Sequence, residues 1–179
     1  MEQFDLVDIN DNIIGTTDKE TSHQNGEIHR VIAIYVFNSQ NELYVQEHLK
    51  SGGLWDNSVG GHVIKNETYD QAAQREGFEE LNLNCPLQKI STFYSDETFG
   101  KMNIKHMFGL YECTPVNWQF IPNEEVKNII PLKIEDVIQL MSDSPNKFTP
   151  GFLNTMSQYI SQKQLPFKIK EYRSRWLNP

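Results

Sequence analysis

Cysteine is scarce in this chain: Cys85 and Cys113 are its two thiols, and no Cys-X-X-Cys pair occurs. Neither a zinc knuckle nor a disulfide framework is indicated, so two reduced, buried or half-buried thiols are expected. Positive charge is short as well. Lys and Arg number 16 against 24 Asp and Glu, a formal net charge of −8 with a pI of about 5.1. No Lys/Arg cluster provides the basic footprint that a nucleic-acid duplex requires. No stretch approaches the roughly eighteen apolar residues of a membrane span. The opening MEQFDLVDIN is acidic and lacks the apolar run of a secretory leader, so the cytoplasm is the expected compartment. A P-loop, a dinucleotide glycine fingerprint and a Ser-His-Asp arrangement are also missing. An acidic protein that handles a phosphorylated substrate must overcome like-charge repulsion, which divalent cations would do.

What is present suffices for one sizeable core, since 38% of the 179 residues are hydrophobic and 11% aromatic. Phe4–Ile9 and Ile13–Thr16 flank an Asn-Asp-Asn turn and read as an N-terminal hairpin. A short polar stretch from Asp18 to Gly26 reads as a helical turn. Ile28–Phe37 is the strongest strand, and Leu43–Glu47 is expected to pair back on it as a second hairpin. After a glycine-containing loop, a helix is predicted from Thr68 to Leu81. Further strands are predicted at Leu87–Tyr94, Ile104–Glu112 and Ile129–Leu132, and helices at Ile134–Ser142 and Pro150–Gln162. Strands interleaved with a few helices argue for a single α/β (α+β) domain over residues 1–165. Adjacent hairpins favour a mixed sheet. Residues 166–179 are read as a C-terminal tail packed on the domain.

The chemistry is concentrated in GHVIKNETYDQAAQREGFEELNL. Thr68 with Gln71 three residues later forms a capping-box pattern, and Asn82 can end the helix in the left-handed conformation. On that helix Glu76, Glu79 and Glu80 stand at i, i+3 and i+4 and share a face. Like charges so placed disfavour the helix by several tenths of a kcal/mol per pair. A hard cation such as magnesium or manganese turns that repulsion into ligation. Tyr69, Ala73, Gly77 and Leu81 form the core face. Gly77 costs about 1 kcal/mol relative to Ala there, and close backbone approach to the sheet is the expected reason. Arg75 lies one turn before Glu79 and can pair with it. Glu67 falls near the helix's positive end.

Gly61, five residues, Glu67, seven residues, then Arg75-Glu76-Gly77-Phe78-Glu79-Glu80-Leu81-Asn82-Leu83 resembles the signature of the Nudix hydrolases. Gly61, Glu67, Arg75, Glu76, Glu79 and Glu80 all match it, whereas Gly77 stands where a larger apolar residue is usual and Asn82 where glycine is usual. Six fixed positions at frequencies near 7% coincide by chance about once in ten million starts. The resemblance implies an α/β/α sandwich around a central mixed sheet, preceded here by the N-terminal hairpin. It also implies metal-dependent hydrolysis of a nucleoside diphosphate or a nucleoside diphosphate linked to another moiety. It makes Glu76, Glu79, Glu80 and the Gly61 carbonyl metal ligands for Mg2+ or Mn2+, with Arg75 and Glu67 orienting helix and loop. Water attacks phosphorus and a carboxylate takes its proton; Glu76 is favoured, with Glu125 as the rival. His62, Phe99 and Lys101 are candidate substrate contacts. Phe93-Tyr94 and the run Trp118–Pro122 divide between substrate stacking and core packing. The expected partner is a small phosphoanhydride, a nucleotide by preference, with neither duplex nor membrane. Oligomeric state stays open, a homodimer included.

A narrower resemblance runs alongside. Leu54-Trp55-Asp56-Asn57-Ser58-Val59-Gly60-Gly61-His62 and Glu27-Ile28-His29-Arg30 are similar to stretches of type I isopentenyl-diphosphate isomerases, which share the Nudix fold. There three histidines help bind a metal, which implies a cluster of His23, His29 and His62. Those isomerases need a cysteine after Ser-Val as a proton donor, and this chain has Gly60. Glycine cannot transfer a proton. They also degrade the Arg-Glu…Glu-Glu box that is intact here. Hydrolysis is therefore the expectation, ahead of isomerisation and of a catalytically silent nucleotide-binding module.

Overall fold

The computed structural model describes residues 2–49, 52–99, 102–121, 123–124 and 126–166. The N-terminal hairpin is β1 (Gln3–Val7) and β2 (Ile13–Asp18), and the polar stretch after it is a true short helix, α1 (Lys19–Asn25). Asp18 caps α1 by accepting from Thr21 N–H, and Gly26 ends it in the left-handed region at φ 64°. Next come β3 (Ile28–Val36), β4 (Leu43–His48), β5 (Trp55–Asp56) and β6 (Val59–His62). The helix α2 (Tyr69–Leu81), strands β7 (Gln88–Phe99), β8 (Met102–Cys113) and β9 (Val126–Leu132), and helices α3 (Ile134–Asp143) and α4 (Pro150–Gln162) follow.

The described strands form two sheets. The larger runs β2-β1-β3-β8-β7, with β6 also on β3, and the smaller runs β5-β4-β9. β3 pairs parallel with β8 and antiparallel with β6, so the sheet is mixed, as expected. The second-hairpin expectation is corrected here. The turn after β3 forms, but it leaves a single bridge, Phe37 to Leu43, and β4 instead pairs with β9 from Leu43 to His48. Both edges of β3 are already taken by β8 and by β6 with β1, so β4 has no ladder to join.

Alternation along β3 divides the interior. Val31, Ala33, Tyr35 and Phe37 join α3 and α4 residues such as Val137, Phe152 and Met156 on one face. Ile32, Ile34 and Val36 join Ala72, Ala73 and Leu81 of α2 on the other. Helices thus cover both faces, giving the expected α/β/α layering. Among the described residues no helix is long and apolar enough to cross a membrane. Except for Pro166, the tail lies outside the described residues.

Gly77 is not held glycine by the sheet. An added methyl would meet Ile34 Cδ1 at 3.4 Å and Leu83 Cδ1 at 3.5 Å, ordinary contacts. Gly77→Ala should therefore stabilise the protein by up to about 1 kcal/mol through helix propensity, seen as a melting midpoint higher by about 2–4 °C. A clear drop would mean that the approach is tighter than these contacts.

Candidate active site

α2 starts with the reciprocal capping box: Thr68 Oγ1 accepts from Gln71 N–H, and Gln71 Oε1 accepts from Thr68 N–H at 2.9 Å. Asn82 ends it at φ 51°, its N–H reaching back to Gly77 and Phe78 carbonyls. These local rules set the phase at which the glutamates face the sheet. Arg75 gathers them. Its guanidinium donates to both Glu67 oxygens at 3.0 and 2.9 Å, to Glu76 at 2.7 Å, to Glu79 at 3.2 Å and to the His62 carbonyl at 2.9 Å. Glu67 in turn accepts from Ile64 N–H at 3.1 Å, which closes the loop between β6 and α2. A planar fork with five donors suits this task in a way that lysine would not.

The three helix glutamates differ in depth. Glu79 is 57% exposed, Glu76 15%, and Glu80 is buried, accepting from Gln46 Nε2 at 2.9 Å while Gln46 also donates to the Ser58 carbonyl. Gly61 lies directly against Glu76: a Cβ there would sit 2.1 Å from the Glu76 carboxyl carbon. Backbone and carboxylate therefore share one small space that a side chain would fill. Burial raises the Glu76 pKa, Arg75 opposes the shift and the Glu79 charge adds to it. Arg75 is pushed up chiefly by its hydrogen bonds to Glu67. Converging carboxylates at graded depth beside a bare backbone segment are a donor set for a hard, oxygen-seeking cation, so these residues fit magnesium or manganese.

Other expected residues are placed elsewhere. Glu125, Gly100 and Lys101 lie outside the described residues, as does the Phe99 side chain. Phe93 stacks on Phe108 in the α4-side core, and Trp118 Nε1 donates to the Leu81 carbonyl, so both serve packing. Gly61 faces α2, so His62, its neighbour in a strand, points to the opposite face.

There His62 joins His23 of α1, His29 of β3 and His106 of β8, with ligand atoms all within 4.8 Å of one another. The sequence reading named three of these. It missed His106, which reaches the group because it is His29's partner in the parallel β3–β8 ladder. Phe4 stacks on both His29 and His62. Burial, followed by repulsion from neighbouring imidazoles, pushes His29 down to about 3; burial likewise takes His23 down to about 4 and His62 well below its usual range. All three are neutral at physiological pH, which is the form that ligates metals. Gly60 also faces this side, where an added Cβ would meet only the Ile32 carbonyl, at 3.9 Å. Cys113 lies across β3 and at its far end, paired with Val36, and packs with Cys85 near the α2-side core. Neither thiol can stand in at Gly60.

On β5, in the smaller sheet, burial pushes half-buried Asp56 up to about 6, partly offset by hydrogen bonds from Asn57 and Thr149. Its folded-state value exceeds the unfolded value near 4, so the folded state holds the extra proton and stability falls as pH rises from about 4 to about 6. Asp56→Asn keeps the acceptor oxygen. It should raise the melting midpoint by several degrees at pH 7.5, and the gain should vanish below about pH 4. Melts of both proteins across that range check it.

Residues 27–152 match the sequence profile of the NUDIX domain. The isopentenyl-diphosphate Delta-isomerase of Pectobacterium atrosepticum is 33% identical over 173 residues, covering 94% of this chain and 96% of its own. An uncharacterized Nudix hydrolase of Listeria monocytogenes is 36% identical over 100 residues, covering 53% of this chain and 59% of its own. The crystal structure of DR0079 from Deinococcus radiodurans matches with a TM-score of 0.64 at 24% identity, over 80% of this chain and 90% of that one. That last likeness is one of fold.

Proposed function

The chain belongs to the Nudix family, in its isopentenyl-diphosphate-isomerase-like branch, and from that premise we propose that it is a divalent-metal-dependent pyrophosphohydrolase. Its substrate is a nucleoside diphosphate or a nucleoside diphosphate linked to another moiety. The observation that carries this reading is the intact clamp in which one guanidinium holds Glu67, Glu76 and Glu79 while Glu76 rests on bare Gly61.

Glu76, Glu79, Glu80 and the Gly61 carbonyl would hold magnesium or manganese. Bound there, the ion would neutralise the diphosphate and the charge that builds on the leaving oxygen. The chain's own residues supply position and proton transfer. Arg75 fixes the rotamers of Glu76 and Glu79, and Gln46 fixes Glu80. Half-buried Glu76, with its pKa raised by burial, is the better proton acceptor from the attacking water.

Isomerisation is the second reading, favoured by the 33% identity to the Pectobacterium enzyme. Bare Gly60 speaks against it. A panel of nucleoside diphosphates and their conjugates with magnesium or manganese should give phosphate or nucleoside monophosphate, followed by chromatography. Isopentenyl diphosphate should give no dimethylallyl product. Silence across the whole panel, with allylic product from isopentenyl diphosphate, would replace the hydrolase reading by the isomerase one.

A further inference from the structure

The two cysteines take no part in the chemistry proposed above, yet the fold brings them together. We infer that Cys85 and Cys113 are a modification site for hydroperoxides, in which Cys85 is oxidised first and Cys113 closes a disulfide onto it. The inference is independent of the hydrolase reading.

Strand register places the pair. β7 and β8 run antiparallel with Gln88 opposite Glu112, so one step further Leu87 comes level with Cys113, the last residue of β8. Cys85 lies two residues before Leu87, in the short connection from α2 to β7. Cys113 is buried in the α2-side core and Cys85 packs half-buried against it, both as free thiols. Burial, followed by a hydrogen bond to the Cys85 sulfur, pushes the Cys113 thiol up. Access comes from the other side. A cavity of about 550 Å³ has Cys113 in its wall together with Pro86 and Leu87, the residues that follow Cys85. A small peroxide reaches the pair there without unfolding the domain.

The surroundings divide the roles. The attacking sulfur of a dithiol is the more exposed one, and a neighbouring S–H that donates to it favours its thiolate. Cys85 is the more exposed, and Cys113 holds its proton tightly and donates. In the first step the Cys85 thiolate attacks the terminal oxygen of the hydroperoxide. An S–O bond forms, the O–O bond breaks and the alcohol, or water, leaves; sulfur is oxidised to a sulfenic acid and the peroxide is reduced. In the second step the Cys113 sulfur attacks Cys85. The S–S bond forms, the S–O bond breaks, and hydroxide leaves with the Cys113 proton as water. The sulfurs must close from hydrogen-bond contact to about 2.05 Å. Residues 82–87 belong to neither helix nor strand and supply that movement. The product is a covalent strap from the end of the glutamate helix to the end of β8.

The test uses the full-length reduced protein and hydrogen peroxide. Wild type should lose about 2 Da and both free thiols, and dithiothreitol should restore them. Peptide mapping should find Cys85 joined to Cys113 within one chain. The cross-linked form should melt about 5–10 °C above the reduced form, because the bond closes a loop of roughly thirty residues in the unfolded chain. Cys113→Ser lacks the second sulfur, so Cys85 should instead gain about 16 or 32 Da as sulfenic or sulfinic acid. Cys85→Ser should keep Cys113 reduced at a dose that oxidises wild type completely. Should a buried serine disturb the core, Cys113→Ala and Cys85→Ala give the same readouts. Wild type that keeps both thiols, gains oxygen on Cys85 without a cross-link, or cross-links only between chains would overturn the inference. So would oxidation of Cys113 in Cys85→Ser at the wild-type dose, or a cross-linked form that melts below the reduced one.

Discussion

Glu79→Gln leaves the fold intact and lowers metal-dependent hydrolysis by about a thousandfold, a loss of about 4 kcal/mol of transition-state stabilisation. The two halves of that expectation have separate grounds. Glu79 is 57% exposed and bonds only the Arg75 guanidinium in the described structure, at 3.2 Å. An exposed i,i+4 pair is worth about 0.3–0.5 kcal/mol, so the melting midpoint should move by no more than a degree or two. Glutamine also keeps the helix propensity and the shape. What it removes is a full negative charge from the donor set for the cation, and that charge matters most when the diphosphate's own charge is redistributing. Raising magnesium should recover only part of the rate, because the weakened site is still a weaker stabiliser when filled. Steady-state rates on the best substrate of the panel, measured across a magnesium titration, decide it. Turnover within threefold of wild type at every magnesium concentration would remove the glutamate face from the mechanism. The matching Glu80→Gln change is less clean, because Glu80 is buried against Gln46 and the substitution disturbs a packed hydrogen bond as well as a charge.

Features governed by neighbours in sequence were legible before the fold was known. The capping box of Thr68 and Gln71, the left-handed Asn82, and the i, i+3, i+4 phase of Glu76, Glu79 and Glu80 all depend on residues within about one or two turns of each other. The placement of β4 was not legible. The turn at Asn38–Asn41 does form, with Asn38 N–H to the Glu42 carbonyl at 3.0 Å. The strand after it diverges because the edges of β3 are occupied by strands that arrive from elsewhere in the chain. His106 was hidden for the same reason: nothing around it in sequence marks it, and only the parallel register of β8 against β3 sets it beside His29. The close approach expected at Gly77 is not found there. It occurs at Gly61, and also at Gly109, where an added Cβ would stand 2.6 Å from the Tyr69 ring. Helix periodicity can identify a glycine on a buried face, but whether anything presses against it is set by the depth of a neighbouring side chain in another element.

Gly61→Ala turns that last point into the sharper experiment. The backbone at residues 60 and 61 is extended β6 strand, and neither residue has a positive φ, so alanine meets no conformational penalty at either. The difference between them is what their Cβ atoms meet. At Gly61 the new methyl would stand 2.1 Å from the Glu76 carboxyl carbon and 2.4 Å from its Cγ, so the carboxylate end of that side chain cannot stay where it is. Glu76 must swing away, which breaks its 2.7 Å hydrogen bond to Arg75 and leaves that guanidinium to repack around Glu67 and Glu79. Overpacking of this kind costs about 1–3 kcal/mol of stability. It should reduce hydrolysis far more, by at least about a hundredfold, since an ångström of displacement in a positioned group is enough for that. Gly60→Ala is the control. One residue away and on the opposite face, its methyl meets only the Ile32 carbonyl at 3.9 Å, and both rate and melting midpoint should stay near wild type. The pair separates a site that depends on Glu76 pressed against bare backbone from a strand that merely dislikes alanine. Equal losses in the two variants would point to the strand; a large loss at 61 alone places the chemistry where the clamp of Arg75 holds its carboxylates.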